Sequence, residues 1–152
     1  MRPWISTFAA IAILAVASYG EPDALSKLNE NAAPVYRQQY HKMLESGELE
    51  PRGEEIPQHF AKDSPERRYW LAGYLSALVE YINPKCVTDR TEPSGIVDFA
   101  GGGAERWYAE GHHRGMIKAD RIARPLYKKI VVGILNLSDE ESARRQKQQK
   151  KK

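Results

Sequence analysis

The stretch "YWLAGYLSALVEYINPKCVT", residues 69–88, decides how this chain folds. Ser64 offers an N-cap oxygen just ahead of it, and Pro65 suits the first helical position, where a missing amide costs nothing. Trp70, Leu71, Tyr74, Leu75, Leu78 and Ile82 then recur at steps of three and four, which predicts one apolar helical stripe widened by Ala77 and Val79. Tyr69 and Tyr81 fall toward the polar side. Gly73 weakens a helix by about 1 kcal/mol relative to alanine, so its expected use is the close approach of a neighbouring helix. The helix ends before Asn83-Pro84, because a residue preceding proline avoids helical angles.

Outward from this segment the apolar spacing stays helical. In "APVYRQQYHKMLESGELEPRG", residues 33–53, Val35, Tyr36, Tyr40, Met43 and Leu44 share one side. Pro34 is expected in the first turn and Gly47 just past the end. Glu48 to Asp63 carries Pro51, Gly53 and Pro57 and reads as a loop. Cys86 to Gly103 reads as a connection with a short helical piece around Ile96, Val97 and Phe99. A helix from about Ala104 carries Trp107 and Tyr108 until "EGHHRG", residues 110–115, interrupts it. The last body helix spans Met116 to Leu135, with Ile117, Ile122, Leu126, Ile130 and Ile134 inward and a kink or break at Pro125. "KKIVVGIL" has strand-favouring residues but no strand to pair with. The expected fold is all-α: a small single domain of about four helices.

The two ends differ from this body. Residues 1–20, "MRPWISTFAAIAILAVASYG", join Arg2 to ten apolar residues, Phe8 to Ala17, and then to small residues before Glu21. That is the pattern of a cleaved signal peptide, and it places the helical domain, 21–137, in the periplasm or outside the cell. The tail, 138–152, holds six Lys or Arg against three Asp or Glu, and its charge of +3 equals that of the whole chain. The basic balance therefore belongs to the tail and not to a binding face of the body. Ser138 with Glu141 reads as a capping box opening a solvated helical extension. Such a tail suits weak contact with an anionic membrane surface; nucleic acid is not an expected partner of an exported chain. One cysteine, Cys86, rules out an intrachain disulfide. It is buried and inert, reactive, or paired with another molecule, a second copy in a homodimer among the options.

Signals for chemistry are few. "GGGAERW", residues 101–107, lacks the spacing and lysine of a phosphate-binding loop. His112 and His113 are adjacent, so on a helix they point apart and do not chelate one metal; a polar loop near a helix end is the simpler reading. Cys86 matches no hydrolase signature, and no GxSxG occurs. No catalytic residue, metal or cofactor is expected. Tyr108 and Trp107, beside a glycine-rich segment that also holds Phe99, are the expected partner-binding residues, because amphipathic rings dominate protein interfaces.

"LAGYLSALVEY", "CVT" and "IVDFAGGGAERWY" together resemble the Tai-type immunity proteins, which neutralise peptidoglycan amidases delivered by type VI secretion. The resemblance covers roughly residues 66–135. Gly73–Tyr74, Cys86–Val87–Thr88 and Ile96 to Tyr108 occupy the family's Gly-Tyr pair, Cys-Val-Thr segment and following helix. The family usually carries a further cysteine just before the Gly-Tyr pair, disulfide-bonded to a later one; this chain has Leu71 there, so that bridge cannot form. The resemblance implies a small exported helical inhibitor that binds an amidase effector. Two other classes remain open, an envelope accessory protein acting through the basic tail and a small hydrolase of unrecognised type.

Overall fold

The computed structural model describes residues 22–95, 97–99 and 101–150. The residues read as a signal peptide lie outside these, as do Ile96 and Ala100; Val97 to Phe99, expected in a short helical piece, are not helical. Among the described residues the fold is all-α. Four helices occur: α1 (Pro22–Glu45), α2 (Pro65–Glu80), the one-turn α3 (Lys85–Thr88) and α4 (Gly103–Gln149). A 3-10 turn, Gly53–Glu55, interrupts the loop between α1 and α2. No described helix is long and apolar enough to cross a membrane.

Two compact units are present, one of Tyr36–Pro125 and the other of the described parts of Met1–Val35 and Leu126–Lys152. In the first, α2 is the central element. Ser64 caps it as expected, accepting from the Arg67 N–H at 3.3 Å, and Pro65 begins it. Trp70, Gly73, Tyr74, Ala77 and Leu78 are buried on its inner face. Tyr81, expected on the polar side, is fully buried, whereas Leu75 and Val79 are 46% and 57% exposed. The true core stripe is rotated toward Gly73 and Ala77, because small residues let a second helix come closer than leucine would.

That second helix is α4, and the contact is backbone against backbone. A Cβ added at Gly73 would run into the Tyr108 carbonyl oxygen and lie 2.8 Å from the His112 nitrogen. One at Gly111 would strike the Trp70 carbonyl. One at Gly115 would strike the Tyr74 carbonyl and come within 2.9 Å of the Ala77 Cβ. Gly111 and Gly115 stand one turn apart, so "EGHHRG" is no interruption. It is the crossing point of an unbroken helix.

Pro34 and Pro125 likewise sit inside α1 and α4 without ending them. Both rings are exposed, as are Glu30 and Arg121 four residues earlier, so the carbonyls left without an amide partner face water. Ser138 is interior to α4 and does not start a new helix. Gly47, at φ +75°, closes α1 as the sequence suggested, its N–H bonding the Leu44 carbonyl at 3.2 Å.

The end of α2 is capped by tyrosines. Tyr36 and Tyr40, stacked with centroids 5.6 Å apart, donate their hydroxyls to the Tyr81 carbonyl (2.5 Å) and the Leu78 carbonyl (2.7 Å). They satisfy carbonyls that a helix C-terminus leaves without intrahelical partners. Tyr81 in turn donates to Asp120 Oδ1 at 3.1 Å. Arg124 Nε grips both Asp120 oxygens at 2.9 and 2.7 Å, and its remaining nitrogens reach the Val87 and Arg90 carbonyls. Burial and the neighbouring Asp120 charge push the Tyr81 phenol up, so it remains a donor. In the second unit Leu28, Ala32, Tyr127, Ile130 and Val131 are buried, and Tyr127 donates to Asn29 Oδ1 at 2.6 Å. Residues 139–149 of α4, and Lys150 after it, are exposed throughout.

The crossing yields a first prediction. Gly→Ala in an open helix interior stabilises by about 1 kcal/mol, and Gly133→Ala, with nothing within 4 Å of the new methyl, should do so. Gly73→Ala and Gly111→Ala should instead destabilise by about 1–3 kcal/mol or more through overpacking. Urea denaturation followed by circular dichroism checks the opposite signs.

Candidate functional site

By holding α2 against α4, the crossing forms a cleft of about 670 Å³ with the 53–58 segment as its other wall. Trp70 and Tyr74 of α2, stacked at 5.2 Å, contribute to its lining. Glu110, Arg114, Ile117, Lys118 and Arg121 line it from α4, a single stripe at steps of three and four. Glu54, Glu55, Ile56, Pro57 and Gln58 line it from the turn.

One ion pair spans the cleft: Lys118 Nζ holds the two Glu55 oxygens at 2.8 and 3.0 Å, with side chains 20% and 31% exposed. The Glu55 carboxylate also accepts from the Arg52 N–H at 2.6 Å, closing the 3-10 turn. Burial alone would raise the Glu55 pKa. The Lys118 and Arg52 hydrogen bonds, with the charges of both residues, outweigh it and hold the carboxyl below its ordinary 4.5. Arg114 and Arg121, by contrast, are exposed and make no ion pair among the described residues.

Two polar atoms in the lining side chains, Trp70 Nε1 and Tyr74 Oη, are buried without a hydrogen-bond partner among the described residues. The residues are 1% and 2% exposed. Burial, then the nearby Glu55 charge, push the Tyr74 phenol up and keep its proton in place. The site therefore offers an aromatic wall with two unspent donors, an engaged lysine, and two guanidinium groups without an ion pair among the described residues, balanced by the Glu54 and Glu110 carboxylates.

The sequence-predicted contact residues lie elsewhere and are not joined to one another by ring contacts among the described residues. Trp107 is half-buried, edge-on to Phe60 at 5.1 Å and 6.4 Å from His59, with the Arg106 guanidinium 5.3 Å above its ring. It is as much a packing residue for the loop before α2 as a surface one. Tyr108 is 40% exposed and stacks on His112 at 6.2 Å. Phe99 lies edge-on to His113 at 5.8 Å.

The adjacent histidines, expected in a polar loop, stand mid-helix and serve different partners. His112 Nε2 is 2.8 Å from Glu80 Oε1, and His113 Nε2 donates to the Ser94 carbonyl, which ties the 89–102 loop to α4. Cys86 is buried and its thiol donates to the Glu80 carbonyl at 3.3 Å; burial, then the Glu80 and Asp89 charges against the opposing Arg90, push its pKa up. No group of three or more potential metal ligands occurs among the described residues.

Sequence reasoning assigned Trp70 and Tyr74 to the core and passed over Glu55, Arg114, Lys118 and Arg121. The signal was present, since 114, 118 and 121 repeat at helical spacing. It became invisible once the helix was broken at Gly115.

Compared with known protein families, curated proteins and solved structures, the chain matches none.

Two predictions follow from the contrast between satisfied and unsatisfied groups. Tyr81→Phe should destabilise by about 1–3 kcal/mol, because it removes a hydrogen bond to the buried Asp120 carboxylate and leaves that group to Arg124 alone, whereas Tyr74→Phe should leave stability unchanged or raised. Thermal and urea melts of the two variants measure this. For Glu55 the folded pKa lies below the unfolded one, so its stabilisation is fully present above pH 4.5 and is lost as pH falls through the lower folded value. Wild type and Glu55→Gln should therefore differ in denaturation midpoint near neutrality and converge toward acid pH.

Proposed function

We propose that this chain is an exported, non-enzymatic binding domain, and that its cleft receives a segment of a partner protein. The observation that carries this reading is the pair of partnerless polar atoms, Trp70 Nε1 and Tyr74 Oη, in the cleft's lining. A buried donor without an acceptor costs stability and returns nothing to folding. A ligand that hydrogen-bonds these groups recovers the cost on binding. The cleft volume falls within the range of about 300–1,000 Å³ common to ligand pockets.

The more specific form of the proposal is an immunity protein that neutralises a periplasmic cell-wall amidase. It is supported by the signal-like residues 1–20 and by the Gly73–Tyr74 and Cys86–Val87–Thr88 segments that resemble such proteins. A second reading, an envelope accessory protein, draws on the exposed end of α4, where Arg144, Arg145, Lys147 and Lys150 face solvent.

The test is capture of a partner from envelope extract by the wild type and by Arg114→Ala, Arg121→Ala and Tyr108→Ala, each with its thermal melt. Loss of capture by the two arginine variants at unchanged melting temperature supports the cleft. Loss confined to Tyr108→Ala moves the contact surface to the α4 aromatic residues. Capture that is lost only when residues 139–152 are removed, and that weakens with salt, favours the accessory reading.

A further inference from the structure

The chemistry of the cleft also indicates what kind of group it takes, an inference that rests on the binding reading above. Three observations bear on it, and they are independent. The first is the cleft's own occupant. Glu55 sends a carboxylate across to Lys118, with both oxygens within 3.0 Å of Nζ and a backbone N–H on the same group. The wall thus already holds one carboxylate, supplied by the turn.

The second is the spare capacity beside it. Arg114 and Arg121 sit one turn on either side of Lys118 on the same stripe, exposed and without ion pairs among the described residues. Guanidinium groups favour carboxylates because two parallel N–H bonds match two oxygens. The third is the aromatic wall. Trp70 Nε1 can only donate, and Tyr74 Oη, kept protonated, donates too, so both call for an acceptor. Both atoms are buried, and both residues line the cleft that the Lys118–Glu55 pair spans. A carboxylate entering that cleft meets Glu55 as its competitor for Lys118.

We propose that the cleft is a binding site for a carboxylate carried by a partner polypeptide. It exchanges with Glu55 at Lys118 and is held by Arg114 and Arg121 at the rim and by Trp70 Nε1 and Tyr74 Oη at the aromatic wall. Glu54 and Glu110 set its selectivity. They balance the rim charge, so a single carboxylate in a neutral or basic context fits and a run of acidic residues is repelled. The carboxylate can belong to a chain terminus or to an Asp or Glu side chain; the chemistry is shared, and the test separates the two.

The probe is a set of short peptides titrated into the protein labelled with ¹⁵N at its tryptophan indoles. The set comprises acetyl-trialanine with a free C-terminus, its C-terminal amide, an amidated peptide with one internal glutamate, and an amidated tetraglutamate. The reporter is the Trp70 indole N–H resonance, assigned with Trp70→Phe. A single-carboxylate peptide should move this resonance saturably, and the plain amide should not. Response to the free C-terminus alone or to the internal glutamate alone assigns the source.

Arg114→Ala and Arg121→Ala should each weaken binding about tenfold or more, as expected for a lost charge-assisted hydrogen bond. Glu55→Gln should tighten it, because the competing carboxylate is gone. Equal response to the amide peptide, a preference for tetraglutamate, or weaker binding by Glu55→Gln overturns the exchange. So does an unmoved Trp70 resonance with every peptide. If partner capture still depends on Arg114 in that last case, the cleft reading stands and only the carboxylate falls; if capture ignores Arg114, both fall.

Discussion

The approach of α2 to α4 is the constraint on which the described unit of residues 36–125 depends. Gly73 leaves room for the Tyr108 carbonyl, and Gly111 and Gly115 leave room for those of Trp70 and Tyr74. Helices normally pack 8–10 Å apart with side chains interdigitated; here three glycines remove that layer. The consequence is positional. Trp70 and Tyr74 line the same cleft as Arg114, Lys118 and Arg121, which occupy the next turns of α4 beyond the crossing. A wider crossing would separate the aromatic wall from the basic stripe, so the spacing of glycines governs the chemistry of the site as well as the packing.

Around this crossing, buried polar groups divide into two kinds. Tyr36, Tyr40 and Tyr81 spend their hydroxyls on the end of α2 and on Asp120, and Arg124 closes the chain of bonds on the Val87 and Arg90 carbonyls. Every member is matched, which is the condition under which a buried polar network orders a core without weakening it. Trp70 Nε1 and Tyr74 Oη are buried nearly as deeply and have no match among the described residues. Within one small unit the same residue type serves both ways. Fold requirements alone do not account for the difference.

Helical class and the ends of α2 were legible in the sequence, because capping and proline rules act within a few residues. Ser64, Pro65 and Gly47 stand in the structure as those rules require. The rotation of α2 was not legible. Its outer side carries Leu75 and Val79, as apolar as the inner one, so periodicity could not say which stripe is core. Nor could local rules read Gly111 and Gly115, since a glycine pair that ends one helix looks the same as one that lets two helices touch. The site suffered twice over. Its basic stripe was cut at Gly115, and Glu55 meets Lys118 across 63 positions of sequence, a pairing only the fold makes visible.

Cys86 has a use that no cleft or crossing provides. It lies sealed beside α2's last turn, its proton on the Glu80 carbonyl and its thiol held above the usual range by burial. Oxidants and alkylating agents act on exposed thiolates, so the folded chain presents them with nothing to attack. Any modified or disulfide-linked fraction therefore counts molecules that opened this region at least once. A single sulfur atom thus records, molecule by molecule, whether this region has ever opened.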